Sequence, residues 1–188
     1  MSKLIVGLDE VGRGCIAGPV VAAAVILDPK KPIEGLRDSK KLTEKKRQKL
    51  SGDIMRLATD FSIGRVDVDE IDAINILQAS LLAMERAFNG LKVQADFAQV
   101  DGIYYPDINV EGTCIKGGDD LVACISAASI LAKVYRDEHM RILDCLYPGY
   151  GLETHKGYPT VAHKVSLREN GIAVIHRRTF SPVKQLLS

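Results

Sequence analysis

Short runs of apolar residues, many of them β-branched, recur along the chain at lengths typical of strands. Three such runs come first, at 3–9, 19–27 and 61–67, and two more follow at about 97–100 and 112–116. A short apolar run bounded by turn residues is typical of a buried strand. We therefore expect five strands, of which the first three are consecutive and antiparallel.

Between and after these runs, apolar residues recur at the three- and four-residue spacing of amphipathic helices. Predicted helices cover about 43–57 with Thr43 as N-cap, 68–89 ended by Gly90, 122–146, and 160–169 with Gly171 as C-cap. Small residues near the start of the third helix would permit close packing against a sheet. This order of strands and helices predicts an α/β protein with one mixed sheet.

The composition is that of an ordinary globular protein. The chain has 188 residues, enough for one domain with a substantial core, and 46% of them are hydrophobic and 26% charged. No apolar run is long enough to span a membrane, and we expect no signal peptide. The cysteines lack C-x-x-C spacing, so we interpret all four as reduced core thiols of a cytoplasmic protein. They are Cys15, Cys114, Cys124 and Cys145.

Two adjacent carboxylates, Asp9 and Glu10, end the first apolar run, and 12–14 (Gly-Arg-Gly) follow at once. Like charges this close disfavour joint ionisation, and a divalent cation removes that cost. Hard oxygen ligands suit Mg²⁺ or Mn²⁺, and glycines let backbone N–H groups approach a ligand. The segment indicates a metal-dependent site that handles a phosphate or a hydroxyl. A solvated acidic loop is the alternative that this segment alone leaves open.

The same segment also fits the dinucleotide-binding fingerprint G-x-G-x-x-A, from Gly12 to Ala17. That fingerprint requires a helix to begin there, so that its N-terminus faces the pyrophosphate. Instead, Gly18-Pro19 and a second β-branched apolar run follow. Strand, glycine turn and strand form a hairpin, so a Rossmann-type site is excluded.

Charge is distributed unevenly although the net charge is only +1. Residues 37–49 contain seven Lys or Arg against two acids, and 155–188 contain six against one, whereas 51–125 contain thirteen acids against five bases. An acidic middle between basic segments suits a metal-binding cleft with walls that bind phosphates. A solvated helix face and a basic tail are the alternative.

Further carboxylates stand at positions where α/β sheets bind ligands. Asp101 follows the fourth predicted strand, and Asp119 precedes the helix at 122–146. Because ligands gather at the carboxyl ends of strands, we expect both to converge with Asp9 and Glu10.

Seven blocks of sequence then occur in one order. They are 7–14 (GLDEVGRG), 38–42 (DSKKL), 71–77 (IDAINIL), 100–102 (VDG), 125–134 (ISAASILAKV), 155–160 (HKGYPT) and 176–184 (HRRTFSPVK). With these blocks the chain resembles the ribonuclease HII family, the bacterial type 2 ribonucleases H, over essentially its whole length.

The resemblance implies a ribonuclease H-like fold, with a mixed five-stranded sheet flanked by helices at 1–146 and a C-terminal helical extension at 147–188. It also implies cleavage of the RNA strand of RNA–DNA hybrids and incision 5′ of single ribonucleotides embedded in duplex DNA. The expected chemistry is two-metal-ion hydrolysis, with Mn²⁺ or Mg²⁺, that leaves 5′-phosphate and 3′-hydroxyl ends. No Ser–His or Cys–His pair occupies a motif, so we expect no covalent nucleophile. We further expect a monomer with no membrane partner.

Carried over by motif, the residues that bind metal and act in catalysis would be Asp9, Glu10, Asp101 and Asp119. Those that bind substrate would be Gly12, Arg13 and Gly14 at the 2′-hydroxyl of the RNA–DNA junction, Tyr158 against the following deoxyribose, and Lys40 and Lys41 at phosphates. The alternatives are structural: a loop at 38–41 held by its own hydrogen bonds, and a surface tyrosine folded onto the C-terminal helix.

The sequence departs from the family at two places. Ile103 stands where the family has Asn after Asp-Gly, and 116–120 (KGGDD) has one residue more than the family's Lys-Gly-Asp. Counting back from Ile125 selects Asp119 as the fourth carboxylate, whereas counting forward selects a glycine. We therefore favour Asp119, with Asp120 as the alternative.

Two other functions are possible for such a fold, and each would require a different set of residues. A non-catalytic hybrid-binding module would keep the basic walls but lack part of the carboxylate set, which is complete here. Another nuclease or resolvase of the same fold would need neither the glycine loop at 12–14 nor Tyr158.

Overall fold

The structure, a computed structural model, describes residues 3–37 and 39–187 and is built on one five-stranded sheet. The strands are β1 (Ile5–Val11), β2 (Val20–Ile26), β3 (Asp60–Val66), β4 (Phe97–Asp101) and β5 (Gly112–Ile115). Across the sheet their order is β3-β2-β1-β4-β5. The first three strands pair antiparallel, and β1, β4 and β5 pair parallel. The predicted mixed sheet is confirmed.

Six helices are present in the described residues. They are α1 (Glu44–Leu57), α2 (Val68–Asn89), α3 (Gly118–Leu121), α4 (Ala123–Leu146), α5 (Leu152–His155) and α6 (Val161–Asn170), and short 3₁₀ turns cover Ser39–Lys41 and Lys184–Leu186. The four long predicted helices are confirmed, and Thr43 caps α1 by accepting the N–H of Lys46. The two four-residue helices are too short for a periodic pattern and were not predicted.

Helices cover both faces of the sheet. Helix α2 packs on one face in a cluster with Val6 and Leu8, and α1 and α4 pack on the other with Val21 and Ala23. Because β2 is enclosed on both sides, all its residues are buried and apolar. Helix α4 lies so close to β1 that a Cβ on Gly7 would clash with its backbone. The predicted close packing of small residues is confirmed there.

A separate apolar cluster joins the last forty residues to the rest of the chain. Leu152, Leu167 and Ile175 pack there against Met140 of α4 and Ile16 of the loop after β1. The C-terminal segment is therefore anchored on the hairpin that follows Asp9. The division into a core at 1–146 and an extension at 147–188 stays a prediction.

The blocks at 71–77 and 176–184 are joined by hydrogen bonds. Asp72 accepts the N–H groups of Arg178 and Thr179 at 2.8 and 3.0 Å, and the Thr179 hydroxyl at 2.6 Å. Asn75 interrupts α2 with φ of 68°, and its Oδ1 accepts the N–H of Leu77 at 3.0 Å. These polar residues therefore shape a helix break and fasten the C-terminal segment.

Some predictions need correction or lie beyond the described residues. Cys15 and Cys124 are buried and Cys114 is half-buried, but Cys145 is exposed near the end of α4, so the prediction of four core thiols is wrong for it. Asp38, the first residue of the block at 38–42, lies outside the described residues. Within 3–37 and 39–187, no helix has the length and hydrophobicity needed to cross a membrane.

Candidate active site

Asp9 and Asp101 lie side by side where the pairing of β1 with β4 stops. The last pair in this parallel register is Leu8 opposite Val100, and each acid is the next residue on its own strand. Neighbouring strands are about 4.8 Å apart, so the register brings the two carboxylates to the same level of the sheet. On its other side β1 continues along β2 to Val11. The prediction that β1 ends at Asp9 is therefore wrong on that side.

Asp9 and Glu10 point to opposite faces of the sheet, because successive residues of a strand alternate. Asp9 is 5% exposed and receives a hydrogen bond from Ser129 of α4. Glu10 borders a cavity on the opposite face with Leu77 and Met84 of α2. The adjacent acids therefore reach the end of the sheet from both of its faces.

Repulsion and burial act together on these carboxylates. Burial raises the pKa of Asp9 well above its ordinary value, and the negative charges of Glu10 and Asp101 raise it further. Burial also raises the pKa of Glu10, although Arg13, whose Nη1 lies 3.2 Å from Glu10 Oε1, opposes this. Asp9 forms no ion pair of its own among the described residues. The site therefore concentrates negative charge that nearby cations offset only in part.

The fourth carboxylate is presented by the short helix α3. Asp101 Oδ1 accepts the N–H of Gly118 at 2.8 Å, which ties the end of β4 to the start of this helix. Asp119 is the next residue; its side chain is 13% exposed and lies 3.7 Å from the Nζ of Lys40. Its carbonyl accepts the Ser126 hydroxyl at 2.7 Å. Asp119 is thus held close to Asp101 and partly shielded from solvent.

Asp120 has a different environment on the same helix. Its side chain is 43% exposed and lies 2.7 Å from the Nζ of Lys41. Two of the basic residues predicted to meet phosphates therefore also face the acids of α3. Their side chains stay 76% exposed at Lys40 and 54% exposed at Lys41, so both remain accessible to a substrate.

The donor set fits a hard divalent cation. Carboxylate oxygens dominate the end of the sheet, and the repulsion around Asp9 is of the kind that such a cation relieves. Within the described residues, no three His, Cys, Asp or Glu side chains are gathered closely enough to hold an ion as arranged. Metal binding would therefore draw the carboxylates together.

The glycine loop at 12–14 lies directly after the acids. Gly12 has φ of 97°, a conformation that glycine adopts without strain, and a Cβ there would clash with the Arg136 side chain. Gly14 and Arg13 are exposed, and a Cβ on Gly14 would lie 3.9 Å from the Tyr158 ring. The structure therefore brings the predicted glycine loop and Tyr158, which is 37% exposed, next to each other.

Three histidines hold the loop that carries Tyr158. His163 donates from Nδ1 to the Tyr158 carbonyl at 2.9 Å, and its Nε2 accepts from His176 Nε2 at 3.2 Å. The Nδ1 of His176 accepts the Ala173 N–H at 3.1 Å. The rings of His155 and His163 stack with centroids 4.2 Å apart. These donor and acceptor roles, assigned from the network, leave His163 and His176 neutral.

Beside the carboxylates lies a cavity of about 180 Å³ with one apolar wall. Glu10, Arg13 and Asp101 border it, together with Ile103 and Tyr104. Ile103 is 67% exposed and Tyr104 is 51% exposed. The loop after β4 therefore exposes an apolar and an aromatic side chain beside the acids.

Comparisons with known proteins agree with this architecture. The family model for ribonuclease HII matches residues 6–183. The ribonuclease HII of Aliivibrio salmonicida is 55% identical over 185 residues, covering 98% of this chain and 89% of that protein.

The chain belongs to the ribonuclease HII family.

Solved structures share the fold. The ribonuclease H2 of Pyrococcus horikoshii superposes with a TM-score of 0.80 at 26% identity, covering 97% of this chain and 96% of that one. The ribonuclease HIII called Bst-RNase HIII, solved in complex with Mn²⁺, gives a TM-score of 0.77 at 20% identity and covers 99% of this chain and 70% of that one. The ribonuclease H-like fold is confirmed, and family membership makes the chain a ribonuclease H-type hydrolase.

Sequence reasoning missed three residues that shape this candidate site. Ser129 contacts Asp9 and also lies 2.9 Å from Ser39, between their hydroxyl oxygens. Arg136 and Arg177 are fully buried beneath the glycine loop. The interpretation of the C-terminal basic residues as a phosphate-binding wall is therefore wrong for Arg177. A serine in the mostly apolar first half of α4 was the available signal for Ser129.

The histidine network predicts a loss of stability in weak acid. Burial lowers the pKa of His163 from 6.5 to about 4. Between these values the unfolded chain binds a proton that the folded chain does not, so the free energy of unfolding falls as pH drops. We expect this fall between about pH 7.5 and about pH 5 in denaturant titrations, and a smaller fall for His163→Gln.

Leu167→Ala is the matched control, because Leu167 is buried on the same helix and does not titrate. It should lower the free energy of unfolding similarly at both pH values. An identical pH dependence in the wild type and His163→Gln would contradict the assignment.

Proposed function

We propose that the chain is an endoribonuclease that hydrolyses the RNA strand of RNA–DNA hybrids and incises 5′ of single ribonucleotides embedded in duplex DNA. The observation that carries the proposal is the buried Asp9 carboxylate, whose pKa is raised by burial and by the charges of Glu10 and Asp101. Membership of the ribonuclease HII family supports the substrate class.

The proposed cofactor is Mg²⁺ or Mn²⁺, with two ions bound when substrate is present. Asp9, Glu10, Asp101 and Asp119 would hold them. When bound, the ions would activate water and neutralise charge on the phosphate and the leaving 3′-oxygen. The structure of Bst-RNase HIII with Mn²⁺ supports this choice, since that protein has the same fold.

The chain's own residues prepare this site in distinct ways. The Gly118 N–H orients Asp101 through a 2.8 Å hydrogen bond, and the Glu10 N–H donates to Asp9 Oδ1 at 2.7 Å. Arg13 partly offsets the rise in the pKa of Glu10 that burial causes. Ionised, oriented carboxylates are the form that binds metal. The proposed products are 5′-phosphate and 3′-hydroxyl ends.

The glycine loop and Tyr158 are proposed to recognise the RNA–DNA junction. The 2′-hydroxyl is the group that distinguishes RNA from DNA along the backbone, so a reader must hydrogen-bond to it. Arg13 and Gly14 are exposed beside the acids, Gly12 is buried next to them, and Tyr158 adjoins Gly14. A ring against the following sugar would favour deoxyribose, because a ribose 2′-hydroxyl would crowd it. Lys40 and Lys41 are proposed to bind phosphates.

The direct test is cleavage of a labelled DNA duplex that carries one ribonucleotide, with and without Mg²⁺ or Mn²⁺. We expect a single metal-dependent cut on the 5′ side of the ribonucleotide and none in the all-DNA duplex. A hybrid with a long RNA tract provides the second substrate. Failure to cut either substrate with either metal would refute the proposal.

Loss of one strand-end carboxylate should abolish cleavage without loss of fold. Asp9→Asn and Asp101→Asn each remove a charge while keeping an oxygen that can accept the existing backbone hydrogen bond. We expect cleavage to fall by about 100-fold or more, with hybrid affinity retained because phosphate contacts dominate it. Asp9→Asn should also unfold no more easily than the wild type without metal, because a destabilised buried charge is gone.

Asp96→Asn is the matched control. Asp96 also accepts a backbone N–H, that of Leu4 at 2.7 Å, but lies just before the opposite end of β4. It should cleave at the wild-type rate. Near-normal turnover of Asp9→Asn or Asp101→Asn at saturating Mg²⁺ would mean that the reaction occurs elsewhere.

A pair of variants tests which acid of α3 is the fourth carboxylate. Asp119 is the more buried of the two, 13% against 43% exposed, and follows the glycine that binds Asp101. Asp119→Asn should therefore lower kcat by about 100-fold or more, and Asp120→Asn much less. Each variant loses one charge facing a lysine, so the two control for each other. The reverse ranking in one assay would assign the role to Asp120.

Tyr158→Ala tests recognition of the junction. We expect incision at a single embedded ribonucleotide to fall more than cleavage within a long RNA tract, because only the former depends on every junction contact. Tyr158→Phe should behave like the wild type if the ring, not the hydroxyl, contacts the sugar. Equal losses of activity on both substrates, or no loss on either, would show that Tyr158 serves packing and not recognition.

A further inference from the structure

Three segments meet beneath the glycine loop and Tyr158. The Ile16 N–H donates to the Gly157 carbonyl at 2.9 Å, and the Gly18 N–H donates to the Ile175 carbonyl at 2.8 Å. The Arg177 N–H donates to the Ile16 carbonyl at 2.9 Å. The loop after β1, the loop after α5 and the segment after α6 are thus fastened to one another through their main chains.

Arg177 extends a fully buried side chain into this junction of segments. Its Nη1 donates to the Arg13 carbonyl at 3.0 Å. Its Nε and Nη2 both donate to the Gly18 carbonyl, at 3.0 and 2.9 Å. One guanidinium therefore joins Arg13, inside the glycine loop, to Gly18, two residues before β2.

Arg136 of α4 binds the segment between the glycine loop and β2 and is also fully buried. It donates to the carbonyls of Ala17 at 3.1 Å and Pro19 at 2.9 Å. Its Nη1 donates to the Lys156 carbonyl at 2.8 Å, two residues before Tyr158. This side chain therefore connects the segment that follows the glycine loop to the loop that carries the tyrosine.

Neither guanidinium has a carboxylate as a hydrogen-bond partner in the described part of the chain; every bond goes to a backbone carbonyl. Burial lowers the pKa of Arg177 to about 10, so the group stays charged at neutral pH. Burying an unpaired charge is costly, and apolar replacements of buried charged groups are often more stable. Packing alone therefore does not explain two such groups beneath one recognition loop.

We propose that Arg177 and Arg136 are positioning residues that hold the glycine loop in register with Tyr158, so that the 2′-hydroxyl and the next sugar are recognised together. The proposal rests on the proposed function of that loop and tyrosine. A guanidinium suits the task because its planar donors have fixed directions, whereas a lysine ammonium is a single point on a flexible stem.

The test compares Arg177→Lys and Arg136→Lys with Arg86→Lys. The first two variants replace the planar fork with a single primary amine. Arg86 is the matched control, since it also donates to a backbone carbonyl, that of Arg65 at 2.8 Å, but does so beside the edge strand β3. Amide hydrogen exchange reports the loop contacts without reference to activity. Steady-state kinetics on the single-ribonucleotide duplex and on a long hybrid report recognition.

We expect faster exchange of the Ile16 and Gly18 amides in Arg177→Lys and Arg136→Lys, with the amides of β1 and β4 unchanged. We expect kcat/KM on the single-ribonucleotide duplex to fall by about tenfold or more, and on the hybrid by about threefold or less. Arg86→Lys should leave the ratio of the two substrates unchanged. If Arg177→Lys is too unstable to assay, Arg136→Lys carries the test.

Faster exchange with an unchanged substrate ratio would overturn the proposal, because the arginines would then serve the fold alone. Unchanged exchange would overturn it as well. If the wild-type protein does not cut the single-ribonucleotide duplex, the proposed function fails instead, and the exchange data still report whether the arginines fix the loop.

Discussion

The parallel pairing of β1 with β4 is the constraint on which the candidate active site depends. Because the register ends with Leu8 opposite Val100, it brings Asp9 and Asp101 to one level of the sheet. The result is repulsion between neighbouring carboxylates: burial raises the pKa of Asp9, and the charges of Glu10 and Asp101 raise it further. Folding energy from the apolar layers on both faces of the sheet holds the carboxylates in this unfavourable arrangement. Binding of a divalent cation would relieve this repulsion between the carboxylates.

Basic side chains near these carboxylates fall into an exposed group and a buried group. Arg13, Lys40 and Lys41 are exposed and lie next to the acids, where they can also meet phosphates. Arg136 and Arg177 are buried, and among the described residues their hydrogen bonds go only to carbonyls of the surrounding loops. Under the proposed function, the exposed group would contact substrate, and the buried group would hold the loops that contact it. The proposed catalytic acids near the end of β1 and the proposed recognition loop at 12–14 are therefore adjacent along the chain.

Much of the fold follows from local patterns in the sequence. The β-branched run of β2 and the helical periodicity of α2 are long and consistent, and their bounds were predicted closely. The convergence of Asp9 with Asp101 followed from a general rule about strand ends. Because of the additional glycine before Asp119, counting residues from the flanking motifs did not identify the fourth carboxylate unambiguously. The structure shows which acid of α3 is shielded from solvent. The burial of Arg177 could not be predicted either. Its hydrogen-bond partners are backbone carbonyls 159 and 164 residues earlier in the chain, which no local sequence pattern indicates.

The side-chain carboxyl resonance of Asp9, followed by NMR through a pH titration with and without Mg²⁺, tests the central claim most directly. The account predicts that Asp9 titrates well above an ordinary aspartate in the metal-free protein. Its pKa should fall when Mg²⁺ is added, and also in Asp101→Asn, which removes a neighbouring negative charge. An Asp9 carboxyl that titrates like an exposed aspartate and does not respond to Mg²⁺ would contradict the account.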